Sequence, residues 1–444
     1  MKNIFAIILN ILLIIKINSN FLRHLVPGNE TNTYNYSTIS AVSVNTNLES
    51  QTINATEVDQ SVVYVTNPGV TISNSNLNKV SGNSSDLDNS EFYGVNAVVL
   101  VNGGGLTIKD GSITTACQGS NGVCATLNGT LTITGTRIIS TPSAFARGML
   151  STFGGKINGY NLTISSIGRS SANLATDKGE GTISCTGCNL STAGRGSPLM
   201  YSTGDITIIN TNGTSAGAQA VAIEGKNKAT IKDKCNVKCS GNGGMNDNCG
   251  FLIYQSQPGD PTIDRSIFTC ENSNIEIMPS SDVYSSAPMF YTTNTQTKIN
   301  LNNYKFTYGS GIFLNASQNN GWGTLGENGA DVILNLVNQN IEGDILVDDR
   351  SELEIKMVNS TIKGSINNAK KASELKISLD SDSSIILNND SFYTSINNED
   401  KSGKNIINGS YSISSYESIN KINKYSSKLS LSYFIVFIIL ILIL

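Results

Sequence analysis

Apolar and polar positions alternate in short bursts along this chain, and the bursts recur. Four stretches share one eight-residue phrase: Val70-Thr71-Ile72 to Leu77, Leu106-Thr107-Ile108 to Ile113, Leu131-Thr132-Ile133 to Ile138, and Ile183-Ser184-Cys185 to Leu190. Each is an apolar–polar–apolar triplet, a mostly polar turn of four residues, and a further apolar residue. A period of two marks a strand with one face buried, because successive side chains point to opposite sides. A recurring strand–turn–strand unit predicts a solenoid, in which each repeat covers its apolar face only with its neighbours. Further triplets open at Leu162, Ile206, Ala229, Ile275, Ile299, Val332, Leu353 and Leu375. The steps from Leu131 are 31, 21, 23 and 23 residues; the next, from Ala229 to Ile275, is 46, which predicts one coil with a degenerate triplet.

Three short strands joined by turns fill a coil of this length. An antiparallel meander is the alternative, and Asn-Gly pairs at Asn102, Asn121, Asn128, Asn158 and Asn212 lend it some support. Those pairs seldom sit between two alternating runs, and the unit is longer than one strand plus a turn. Asn76, Asn189 and Asn236, each just before a closing apolar residue, are expected at tight or left-handed turn positions. The coils span 61–391, after a polar lead-in or cap at 21–60 and before a Ser/Asn/Lys-rich stalk at 392–432.

Only 14% of the 444 residues are charged and the net charge is −4, so no basic patch points to nucleic acid. The two ends change the picture more. Lys2 precedes an apolar run from Ile4 to Ile15, so residues 1–20 are expected to be a secretory signal. Residues 433–444 are almost wholly apolar, which predicts a glycosylphosphatidylinositol attachment signal, with Ser418, Asn420 and Asn423 as candidate attachment residues. A short anchor helix is the alternative for that tail. The expectation is an exported protein, held by a lipid anchor on the outer face of the plasma membrane, or secreted. Sequons at Asn54, Asn83, Asn128, Asn161, Asn189, Asn212, Asn315 and Asn359 are candidate glycosylation sites.

With these triplets over residues 62–390, the chain resembles the right-handed parallel β-helix, or pectin-lyase-like, superfamily. The resemblance implies an all-β solenoid of roughly twelve coils, and it concerns the fold alone. Polygalacturonase-like members carry Asp residues with a Gly-His-Gly segment, whereas the single histidine here, His24, precedes the repeats. Pectate-lyase-like members carry Arg-x-Pro-x-x-Arg; the nearest approach is Arg195-Gly196-Ser197-Pro198, with the wrong spacing and no second Arg. Neither catalytic set carries over.

The remaining candidates come from residue chemistry. Cys117, Cys124, Cys185, Cys188, Cys235, Cys239, Cys249 and Cys270 are even in number, which predicts disulfides in an exported protein. Pairing between neighbours (117–124, 185–188, 235–239, 249–270) is the simplest connectivity, with core thiols or an all-thiolate zinc site as alternatives. Asp344, Asp348 and Asp349 are weak candidates for acid–base chemistry, against the reading of a solvated turn. Aromatics gather between 251 and 322, either packing the interior or forming a sugar platform; Trp322 and Tyr308 are the candidate glycan contacts. Thr130, Thr132, Thr134 and Thr136 are read as ordinary exposed strand residues. No cofactor or metal is expected. The expected function is a non-enzymatic adhesin or coat component whose rod binds glycans or other surface molecules. The alternative is a membrane-tethered polysaccharide lyase or glycoside hydrolase.

Overall fold

A computed structural model describes residues 33–36, 41–44, 46–140, 143–244, 247–256 and 264–417. The expected signal, the attachment residues Ser418, Asn420 and Asn423, and the apolar tail lie outside the described residues. Among the described residues no helix is long and apolar enough to cross a membrane.

The chain is all-β and its strands run parallel, from Ala41–Val44 on Ser61–Val65 to Ser391–Tyr393 on Ile413–Ser415. A twelve-stranded sheet forms one face, and a twenty-two-stranded sheet forms the second and third. The chain visits the faces in turn: Val123–Thr126 on the first, Thr130–Thr134 on the second and Arg137–Ser140 on the third, then Met149–Ser151 on the first again. Each visit stacks one rung, about 4.8 Å, on the last. Backbone groups are thus paired between rungs while the apolar faces turn inward together. The stacking begins before residue 61 and runs past 391, where Ser395–Asn398 pairs with Glu374–Leu379.

The inward column of the second face reads Leu106, Leu131, Ile157, Ile183, Ile206, Ala229, Phe268, Ile299, Leu334, Ile355 and Ile377 in unbroken register. All are buried, as is Leu353 in the neighbouring column. Two irregular sequence steps now have causes. The rung skipped after Leu131 is Ile157-Asn158-Gly159, whose third position is a glycine; a Cβ there would lie 2.6 Å from Leu162 Cδ1. The degenerate rung after Ala229 is Phe268-Thr269-Cys270; Leu162 sits at the corner just before the third-face strand Thr163–Ser166, and Ile275 lies in the third face.

A column of residues at positive φ marks the corner between the second and third faces: Asn161, Gly187, Asn210, Asp233, Asn272, Asn303, Asn338 and Asn359. Each corner N–H from Asn161 to Asn338 donates to a carbonyl one rung on, as Asn161 does to Thr186 at 2.9 Å. The expectation for Asn76, Asn189 and Asn236 is corrected. They lie in or begin third-face strand pairing, and the left-handed residue precedes each, at Asn74, Gly187 and Asp233. Left-handed backbone costs an ordinary residue about 1–2 kcal/mol, so Asn, Asp and Gly collect where the chain turns. Thr130, Thr132 and Thr134 alternate outward as read, but Thr136 is buried, its hydroxyl donating to Asp110 O at 3.3 Å.

One of the four expected disulfides forms, Cys185–Cys188. The other six cysteines are free and buried. The correction follows from the strand faces. Cys270 points into the central core, whereas Cys249 packs in a separate cluster outside the first sheet with Leu252 and Tyr254. Cys124 likewise lies in an outer cluster with Leu100 and Leu150, while the Cys117 thiol turns to Lys79 O.

Candidate functional site

Most first-face strands before residue 255 do not alternate. They read VLVN, VCAT, MLS, LAT, VAIE and FLIY, buried at nearly every position. A sheet buried on both sides has something covering its outer side. The outward column runs Tyr64, Leu100, Cys124, Leu150, Ala175, Tyr201, Ala222, Leu252 and Tyr291. Along it the side chains shrink to methyls at Ala175 and Ala222, on either side of Tyr201.

At one end this floor is roofed by rings. Tyr34 stacks on Tyr93 with centroids 5.2 Å apart, Tyr93 on Phe153 at 5.7 Å, and Tyr36 donates its hydroxyl to Tyr93 O. Tyr93 and Glu91 are placed by the helix Leu87–Tyr93, a single insertion between two rungs. Asp86 caps it, accepting from the N–H groups of Asp88 and Asn89, and Gly94 ends it in the left-handed conformation.

In the middle, Arg147 reaches across the face. Its Nη2 lies 3.1 Å from Glu91 and 3.5 Å from Asp177. Burial works against the guanidinium charge, but the two carboxylates outweigh it and hold the pKa above the ordinary value. One cation does not satisfy two acids equally. Burial pushes the Asp177 carboxyl up to about 7, with Arg147 opposing and Glu91 adding to the rise. Arg147 Nη1 and Thr203 Oγ1 are buried here without a hydrogen-bond partner.

At the far end, Tyr201 and Tyr254 both donate to Glu224 Oε2, at 2.6 and 2.9 Å. Burial, reinforced by the Glu224 charge, holds both phenols well above their usual range, so they stay protonated and keep donating. Trp322 packs on Tyr254 with centroids 4.3 Å apart and donates Nε1 to Asp247 Oδ2 at 3.1 Å. Asn294 fixes this wall by donating to the carbonyls of Trp322 and Gln255. Extending the register by one or two residues puts Asp177, Thr203 and Glu224 in one column, so the two acids stand two rungs, roughly 10 Å, apart.

The chain matches no family model, no curated protein sequence and no solved structure. The arrangement of side chains therefore carries the functional argument alone.

Of the candidates read from sequence, Trp322 lies on this face, half-buried. Tyr308 does not: its ring packs against the central core and its hydroxyl donates to Glu342 O. The aromatic segment divides. Phe251, Phe268, Phe290, Phe306 and Phe313 stack inside, while Tyr254, Tyr291 and Trp322 lie outside the first sheet. Asp344 and Asp348 stand beyond or at opposite ends of the strand Asp344–Val347, each bound to backbone: Asp344 accepts from Ser365 N, and Asp348 from Gln318 N and Arg350 N. Asp349 accepts from the Gln318 side chain in solvent. They do not converge on one point. Of the eight candidate sequon asparagines, all but Asn315 are exposed; Asn315 stands beside Tyr291 on the first face.

Glu91, Arg147, Asp177, Tyr201 and Glu224 were missed from sequence, because they come from separate rungs with no common motif; Tyr254 was seen only as one of the aromatics between 251 and 322. One signal was present: apolar runs without alternation imply a covered outer side.

Proposed function

We propose that this protein is a right-handed parallel β-helix of roughly twelve coils, of pectin-lyase-like form. It is displayed at the cell surface on a lipid anchor and binds a glycan along the outer side of its first sheet. The observation that carries this reading is the outer side of the first sheet, where two groups of aromatic rings flank Arg147, Asp177, Tyr201 and Glu224. Rings offer flat apolar contact to sugar faces, and the charged and phenolic groups supply directional hydrogen bonds. The other two faces present mainly Thr, Ser, Asn and Lys to solvent, suited to an adhesin or coat component that displays one binding face. A glycan array with wild-type protein and Trp322→Ala tests this. Binding of some glycan class that weakens at least tenfold in the variant supports it, and binding unchanged by the substitution rejects this face as the site.

A second reading, a glycoside hydrolase, is favoured by one observation. Asp177, its carboxyl raised to about 7 by burial, and Glu224 share a column two rungs apart, just beyond the roughly 6.5–9.5 Å between the acid and base of inverting glycosidases, a difference the side chains can close. Release of reducing ends from the bound glycan, abolished by Asp177→Asn, would establish that activity. Binding without cleavage over the same period would remove it.

A further inference from the structure

Resting on the glycan-binding reading, we propose that the notch over Ala222 is a subsite for an ammonium group, taken from a protonated amino sugar within the bound chain. Three observations meet there. The outward column drops from Tyr201 to the methyl of Ala222 and rises again at Leu252, so the floor beside Glu224 is lowest at that rung. That position is flanked by rings: Tyr201 and Tyr254 converge on one oxygen of Glu224, and Trp322 lies against Tyr254. The third observation is charge. Among the described residues, no Lys or Arg lies within ion-pair distance of Glu224. The nearest lysine in sequence, Lys226, is directed instead to Glu180 at 3.5 Å.

A half-buried carboxylate takes a cation as partner more readily than any neutral group, because desolvation raises the cost of leaving it uncompensated. Two phenolic donors orient Glu224 through Oε2, and among the described residues Oε1 accepts no hydrogen bond. Faces of tyrosine and tryptophan attract cations through their quadrupoles, most strongly when water is displaced. The combination suits a compact ammonium better than a neutral hydroxyl, which gains little from the charge, and it repels a sugar carboxylate. Arg147, farther along the floor, is engaged by Glu91 and Asp177 and leaves the notch itself acidic. Amino sugars and choline-type headgroups share this chemistry.

Trp322 is the only tryptophan in the chain, so its fluorescence reports on this wall directly. The experiment titrates the full protein with three probes: a β-linked glucosamine tetramer, its fully N-acetylated counterpart, and choline chloride. The expected result is at least tenfold tighter binding of the amine tetramer than of the acetylated one at pH 6. Glu224→Gln, which removes the charge that favours the amine, should bring the two within about threefold of each other. Equal affinity for both tetramers in the wild type overturns the ammonium subsite and leaves the glycan reading standing. A response to choline alone supports the subsite but assigns it to a headgroup and overturns the glycan reading. No response to any probe overturns the ammonium subsite, and the glycan array then decides the glycan reading separately. Tyr201→Phe keeps the ring while removing one donor to Glu224; it should weaken amine binding by less than Glu224→Gln does, and an equal loss would point to general damage to the wall.

Discussion

Asp177 shows how one side chain couples the site to the stability of the whole. Its carboxyl titrates near the ordinary 3.8 when unfolded and about 7 when folded, so between those values the native state holds more protons than the unfolded one. Stability therefore falls as pH rises from about 4 to 7, and the penalty stands in full above 7. Denaturant midpoints measured from pH 4 to pH 8 should decline in the wild type and stay flatter in Asp177→Asn, with the variant the more stable above pH 7. Identical slopes would show that Asp177 is not the group responsible. The cysteines make a second residue-scale case. Burial pushes the Cys124 and Cys239 thiols up to about 12 and raises the other four free ones. Low thiolate fraction and lack of access both suppress reaction. A maleimide reagent should modify none of the native protein's cysteines, and six after denaturation without reductant. Two or fewer in the denatured protein would mean that further pairs oxidise.

Elements here are short and owe their persistence to repetition. The corner column illustrates it: Asn303, at φ +52, donates its side-chain amide to Asn272 Oδ1 at 2.8 Å, and Asn359 donates likewise to Asn338. Each asparagine supplies a tolerated left-handed backbone and a link to a neighbouring rung. Asn303→Ala loses both and is expected to destabilise by about 2 kcal/mol. Asn303→Gly keeps the backbone freedom and loses only the link, so chemical denaturation should show less than about 1 kcal/mol. Equal losses would mean that backbone conformation plays no part. The same repetition explains which elements were legible. The triplets at Leu106, Leu131 and Ile183 announced themselves because both inward positions were filled by side chains of ordinary strand type. The rung at Ile157 did not, since Gly159 takes the third position and Leu162 from the next strand supplies the missing volume.

At the scale of the molecule, each rung pairs its backbone only with its neighbours, so the body grows by addition and is longer than a globule of equal mass. Twelve strands at about 4.8 Å give the first sheet a length of roughly 53 Å. Small-angle scattering of residues 33–417 should give a longest dimension above this figure and a pair-distance distribution skewed to long distances. A symmetric distribution with a shorter maximum would reject the stacked arrangement. The candidate site exists only at this scale. Glu91 is placed by a helix inserted between two rungs, Arg147 and Asp177 come from two later ones, and Trp322 arrives from a loop 75 residues beyond its partner Asp247.

The amino-acid pattern by itself determined the repeating unit and most of the alternating second-face strands, because a period of two and a recurring turn are local properties that need no partner to be read. It also determined that turns would fall on Asn, Asp and Gly, though not at which residue of each turn. Tertiary structure alone decided which cysteines share a face, which aromatics fill the interior, and which distant charges meet. Those outcomes depend on how many residues each loop inserts between rungs, and hence on which rung lies above which. One residue's difference in that register moves a side chain from the core to the outer face.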